Sequence, residues 1–176
     1  FIALPAVALA WVLWLLLTQT LPLQGQIAWV PDLDIDLAWR IDGLSILMLL
    51  MITGVGTAVF VYAGGYLAGH PQQSRLYVLL TLFMLAMIGC VTADNLVVLF
   101  VFWELTSLTS FLLVGFNHTN LASRKSAQQA FLVTGTGGLA LLAGLLLLGH
   151  LTGSYSLTTV IERVPYEEAT PALTVA

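Results

Sequence analysis

The sequence predicts an all-α integral membrane protein: a bundle of about five transmembrane helices that forms part of a larger subunit. Three observations carry this prediction. Of 176 residues, 59 % are apolar and only 8 % charged, and mean hydropathy is +0.98; an average soluble domain is about 45–50 % apolar and about 25 % charged. Whole stretches carry no charge at all, namely 1–31, 43–66, 76–92 and 126–149. The apolar runs inside them have the length, about 17–25 residues, that crosses a hydrocarbon core as a helix.

The predicted spans are 1–17, 43–66, 76–92, 96–116 and 128–150. Helix is required over strand because lipid offers no partner for backbone N–H and C=O groups. The alternation of a barrel strand is also missing, since Phe83 to Ile88 is apolar on every face. The first span begins at Phe1. It reads as a truncated spanning helix rather than a signal-peptide core, because no basic residue precedes it and Trp11 and Trp14 lie within it. Asp42 stands before the second span and Asp94-Asn95 before the fourth, where their side chains can accept from the orphan N–H groups of a helix start. Ala93-Asp94-Asn95 is a tight turn that makes its flanking helices antiparallel neighbours. The glycines of the helices, Gly135, Gly137 and Gly138 among them, read as close-packing positions.

Two polar stretches leave the bilayer. In 18–42, the alternation Asp32-Leu33-Asp34-Ile35-Asp36-Leu37 suits a short surface hairpin. The tail 152–176, with Pro165 and Pro171, reads as a loop. The chain divides accordingly into a first helix and loop (1–40), two early helices (41–92), a core pair (93–151) and the tail. Arg75, Arg124 and Lys125 fall on one side of the membrane, Arg40 and Arg163 on the other. The positive-inside rule then places loops 67–75 and 117–127 in the cytoplasm of a multi-pass protein of the cell (inner) membrane.

Composition also removes function classes. Five basic against nine acidic residues give no electrostatic basis for nucleic-acid binding. The single Cys90 allows no internal disulfide, and His70 and His118 lack ligand spacing, so neither a metal site nor a cofactor is expected. No Ser/His/Asp or His-Glu-x-x-His constellation points to an enzyme.

One charge breaks the pattern. Glu104 lies inside the run 96–116, about 12 Å along the helix from Leu96 at 1.5 Å per residue. A carboxylate at that depth costs about 2.5–3.5 kcal/mol on insertion scales. Protonation or pairing with a buried cation relieves the cost, and a group that alternates between the two is a proton relay. Ser107 lies on the same helix face, followed by Ser110 and flanked by Thr106. The competing reading is a glutamate that only fixes helix packing. The spans offer no cation, so its partner lies elsewhere in a longer polypeptide, on another chain, or is water. Arg124 and Lys125 read first as positive-inside anchors; a second reading makes them, with His118, a cytoplasmic proton entry.

The stretch Phe102-Trp103-Glu104-Leu105-Thr106-Ser107 through Phe116, with Arg40-Ile41-Asp42-Gly43-Leu44-Ser45, Ala93-Asp94-Asn95-Leu96 and Leu132-Val133-Thr134 in order, resembles the large A subunit of Mrp-type multisubunit Na⁺/H⁺ antiporters. The antiporter-like L-type subunit of respiratory complex I shares this framework. The resemblance covers about residues 40–150. Complex I relatives tend to carry Arg where Gly135 stands, which favours the antiporter. The resemblance implies about fourteen or more spanning helices with inverted repeats, of which this chain supplies an N-terminal part. It implies that Glu104 is the family's essential carboxylate, paired with a Lys on a broken helix beyond Ala176. It implies Na⁺ and H⁺ as transported ions and other membrane subunits as partners. The alternatives are a proton-pumping subunit of a redox-driven complex (complex I or membrane-bound hydrogenase type), a partner of a carbon-uptake protein, and a membrane scaffold without transport.

Overall fold

The computed structural model describes residues 3–30, 35–117 and 119–163. Among these residues there are six helices and one hairpin: α1 (Ala3–Thr18), β1 (Leu23–Val30), β2 (Ile35–Ile41), α2 (Gly43–Tyr66), α3 (Gln73–Thr92), α4 (Leu96–Val114), α5 (Leu121–Thr152) and α6 (Leu157–Arg163). From α1 to α5, each helix packs on the next in the chain. Four helices, α2 to α5, are long and apolar enough to cross a membrane. The expected fifth, α1, is an apolar helix of 16 residues, about 24 Å at 1.5 Å per residue and short of a roughly 30 Å core.

The helix starts are set by single side chains. Asp42 Oδ1 accepts from Ser45 N (2.9 Å) and from Ser45 Oγ (3.1 Å) at the head of α2. Asn95 caps α4, accepting from Val97 N (3.0 Å) and Val98 N (3.3 Å). Asn120 caps α5 through Ala122 N (2.9 Å), and Gly153 ends α5 in the left-handed region at φ 66°. Inside, Val12 and Leu15 of α1 pack with Ile41, Ile46 and Leu49. A second cluster joins Phe60 and Ala63 of α2 to Tyr77 of α3, and the Tyr77 hydroxyl donates to Phe60 O (3.3 Å).

Three of the sequence expectations change. Helix α5 starts at Leu121, not 128, so Arg124 and Lys125 stand in its first turns rather than in a loop. Likewise α3 starts at Gln73 and takes in Arg75. Both differences have one cause: charge-free runs mark only the part of a helix that lipid covers, whereas the helix continues wherever a cap and good helix formers allow. The 32 residues of α5 span about 48 Å, well over the hydrocarbon thickness. Third, the tail expected as loop contains α6. Seven residues are too few for a visible period, and Asp94 holds the first turn of α6 from elsewhere in the chain. His118, Asp32, Asp34, Pro165 and Pro171 lie outside the described residues.

One end of the bundle is tied together by these connections. The expected hairpin is present, antiparallel, with Leu23 opposite Ile41 and Val30 opposite Ile35. Trp39 lies over Gly25, where no Cβ would fit. Beyond β2, Trp39 bridges Ala93, and Asp94 N donates to Ala38 O (2.9 Å). Asp94 does not cap α4. Its Oδ1 accepts from Thr158 N (3.0 Å) and Thr158 Oγ1 (2.7 Å), and Thr158 Oγ1 in turn accepts from Arg40 Nη1 (2.9 Å). Hairpin, turn and α6 thus meet at one threonine.

Two outcomes follow for stability. The Ser45 backbone N–H beside Asp42 holds its carboxyl below the ordinary value; the Ser45 hydroxyl and Arg40 add to this, against the opposing effect of burial. A depressed carboxyl stabilises the fold above its unfolded pKa, and that contribution is lost as pH falls through the folded one. Asp42→Ala should therefore cost about 1 kcal/mol at neutral pH, and Asp42→Asn less. The Ala deficit should shrink below the ordinary carboxylate range, read as thermal midpoints in detergent. Thr158→Val should cost about 1–2 kcal/mol and raise hydrogen exchange in residues 153–163 selectively.

Candidate functional site: the α4–α5 interface at Glu104

Helix α4 lies between α3 and α5, and its bulky residues are seated on glycines of both neighbours. The Phe102 ring packs on Gly89 of α3, where an added Cβ would collide with it. Two residues further on, about 200° around the helix axis, Glu104 faces the opposite flank. Its carboxylate rests on Gly138 of α5, which is buried. Phe111 and Phe131 close the same interface with ring centroids 5.1 Å apart.

Glu104 is half-buried as a residue, but its Oε1 is fully buried and has no hydrogen-bond partner among the described residues. A buried acceptor without a donor costs about 1–3 kcal/mol, and more if charged.

The expected hydroxyls lie beside it. Thr106, Ser107 and Ser110 line a cleft of about 390 Å³ between α3, α4 and α5, across which Thr134, Phe131 and Cys90 face them. Thr106 Oγ1 donates to Trp103 O (2.7 Å), Ser107 Oγ to the same carbonyl (3.3 Å), and Thr134 Oγ1 to Ala130 O (3.0 Å). Each such hydroxyl keeps acceptor capacity and can rotate to donate elsewhere. In the sequence, Thr134 appears only within the family stretch and Gly138 only as one close-packing glycine among several, neither as a neighbour of Glu104. They are some thirty residues from Glu104, in a helix whose glycines all look alike until α4 is laid against it.

Arg124 and Lys125 are exposed and are not brought to Glu104. Arg124 precedes Gly138 by about 21 Å along α5. It lines a separate cleft of about 220 Å³ with Arg75 and Gln128, where the Arg75 guanidinium lies 5.3 Å from the Phe116 ring centroid. Among the described residues, no group of three or more His, Cys, Asp or Glu side chains could hold a metal ion.

Comparison with known proteins gives a consistent result. Residues 27–77 match the family described as NADH-ubiquinone oxidoreductase (complex I), chain 5 N-terminus. Residues 93–175 match the NADH:quinone oxidoreductase/Mrp antiporter transmembrane family. A protein of Staphylococcus aureus (strain MSSA476), provisionally named antiporter subunit mnhA2, is 44 % identical over 140 residues, covering 79 % of this chain and 18 % of its own length. A protein of Rhizobium meliloti (strain 1021), named as a "Probable K(+)/H(+) antiporter" subunit, is 43 % identical over 139 residues, covering 79 % and 14 %. The chain thus spans about a fifth or less of the curated relatives it matches. Among solved structures, a chain of the Mrp complex from Dietzia sp. DQ12-45-1b superposes with a TM-score of 0.81 at 32 % identity, over 89 % of this chain and 17 % of that one. A chain of respiratory complex I from Thermus thermophilus shares the fold, with a TM-score of 0.79 at 23 % identity over 96 % and 35 %. With two family models matching most of its length and relatives above 40 % identity, this multi-pass membrane chain belongs to the NADH:quinone oxidoreductase/Mrp antiporter family of membrane subunits.

Proposed function

We propose that the chain takes part in monovalent cation/proton antiport within a multisubunit assembly of the cell membrane, with Glu104 as the proton-binding carboxylate. The supporting observation is the buried, unpartnered Glu104 Oε1 beside a hydroxyl-lined cleft. In this reading, Glu104 alternates between holding a proton and pairing with a cation. Protonation removes the negative charge that low-dielectric surroundings penalise, and pairing offsets it. The partner cation, a Lys in the resemblance, comes from further helices of the assembly, since α2 to α5 carry Lys and Arg only in the first turns of α3 and α5. Thr106, Ser107 and Ser110 serve as relay hydroxyls. The ends of the helices near Arg75, Arg124 and Lys125 face the cytoplasm, with Arg124 and Lys125 as positive-inside anchors; the second reading makes them, with His118, a cytoplasmic proton entry.

Antiport is favoured over redox-driven pumping by identity: 32 % to the Mrp chain against 23 % to the complex I chain. The exchanged ion is Na⁺ in this proposal, with K⁺ as the rival that the Rhizobium relative's name raises. The test uses everted vesicles carrying the complete assembly, with the transmembrane pH difference followed after addition of Na⁺ or K⁺. Glu104→Gln should lower antiport by about a hundredfold or more, and Glu104→Asp should retain part of it. Full antiport in Glu104→Gln removes the carboxylate from the mechanism. Proton movement that requires NADH or quinone would favour the redox-driven reading.

A further inference from the structure

The five glycines inside α5 differ in what surrounds them, and a Cβ built on Gly149 would collide with the Tyr155 ring. A Cβ built on Gly135, Gly137 or Gly144 meets nothing within 4 Å. On Gly138 it would collide with Glu104 Oε1, lie 3.1 Å from the carboxylate carbon and 3.6 Å from Oε2. Glycine inside a helix is less favourable than alanine, and at position 138 the missing side chain makes room for the carboxylate.

The collision is with the far end of a flexible side chain, not with backbone. An alanine at 138 can therefore be accommodated by turning Glu104 aside. The helices need not part, and the carboxylate would leave its seat by about 1 Å or more. We infer that Gly138 is the positioning residue of Glu104: it has no contact with the transported proton, but holds the proton-binding oxygen at a fixed depth on the face of α5. This inference rests on the role proposed above for Glu104 and extends it to a second helix.

The other titratable groups near α4 leave this contact undisturbed. On α3, Cys90 lines the neighbouring cleft, Tyr77 packs with Phe60 of α2, and Arg75 is in the first turn. On α5, Arg124, Lys125 and His150 lie toward the helix ends, and Asp36 and Arg40 of β2 sit at the capped end of the bundle.

The experiment again uses the complete assembly in everted vesicles, with assembly checked on native gels. Gly138→Ala should assemble normally, lose antiport by about tenfold or more, and shift the pH of half-maximal antiport by about half a unit or more. Gly144→Ala should match the wild type in rate and profile. Asp is shorter than Glu by one carbon–carbon bond, about 1.5 Å, so Gly138→Ala combined with Glu104→Asp should exceed Gly138→Ala alone. A wild-type rate and profile in Gly138→Ala overturns the inference, as does a double variant no better than Gly138→Ala while Glu104→Asp alone is active. If Glu104→Asp alone is silent, the pH profile of Gly138→Ala decides. If Gly138→Ala does not assemble, restored assembly in the double variant supports the seat and continued failure overturns it. A silent Glu104→Gln with a wild-type Gly138→Ala removes only the role of Gly138, whereas an active Glu104→Gln removes the carboxylate reading itself.

Discussion

A carboxylate oxygen pressed against the backbone of a neighbouring helix, out of reach of any donor among the described residues, is the constraint around which the middle of this bundle is arranged. Two helix surfaces must agree for it to exist. Helix α4 must be turned so that Glu104 points at α5, and α5 must present a residue without a side chain. The rotation of α4 is fixed from its other flank, because Phe102 is seated on Gly89 of α3 and cannot turn without clashing. The Phe111–Phe131 pair holds the same rotation about two turns further along. Close packing transmits such fixing, since interiors have few voids into which a large ring can move.

The charged side chains work at the ends of the helices. Asp42 and Asn95 terminate α2 and α4 by accepting from backbone N–H groups, which lipid would leave unsatisfied. Asp94, one position from the cap, is turned outward to hold α6 through Thr158, and Arg40 reaches the same hydroxyl from the hairpin. This end is cross-linked by polar bonds between segments far apart in sequence. At the opposite end, Arg75 and Arg124 share a cleft near the Phe116 ring. The division is physical. Among the described residues, Asp, Glu, Lys and Arg side chains are kept at helix ends or in the hairpin, except Glu104 in the middle of α4.

How much of this was legible in the sequence depended on which force set each feature. Spans came through because lipid imposes both a length and an absence of charge, so α2 and α4 lie within a few residues of the expected bounds. Glu104 stands out because an acid inside an apolar run is costly to bury in lipid. The starts of α3 and α5 were misplaced because charge-free runs report lipid contact, whereas caps such as Asn120 set where a helix begins. Helix α6 was hidden because Asp94, more than sixty residues earlier, stabilises it. Gly138 could not be told from Gly135 or Gly137, since the difference between them lies on another helix. Periodicity and charge act along the chain; the seat of the carboxylate is a relation across it.

The outer faces indicate how the site is finished. On α5, Leu132, Val133 and Leu139 are each 69 % exposed, which water would not tolerate over so large a patch. Lipid could cover them, and so could further helices. Thr106 and Ser107 on the cleft already donate to Trp103 O but keep acceptor capacity, which a further helix could use and hydrocarbon could not. The same reasoning applies to Glu104. Lipid can supply neither a donor nor a cation to Oε1, and α2 to α5 carry no cation in mid-span. A group costly to bury alone and cheap to bury in company is retained where company is supplied. Under the proposed function, the interface of α4 and α5 is one wall of a site, holding its acid in register for a partner that approaches from outside these helices.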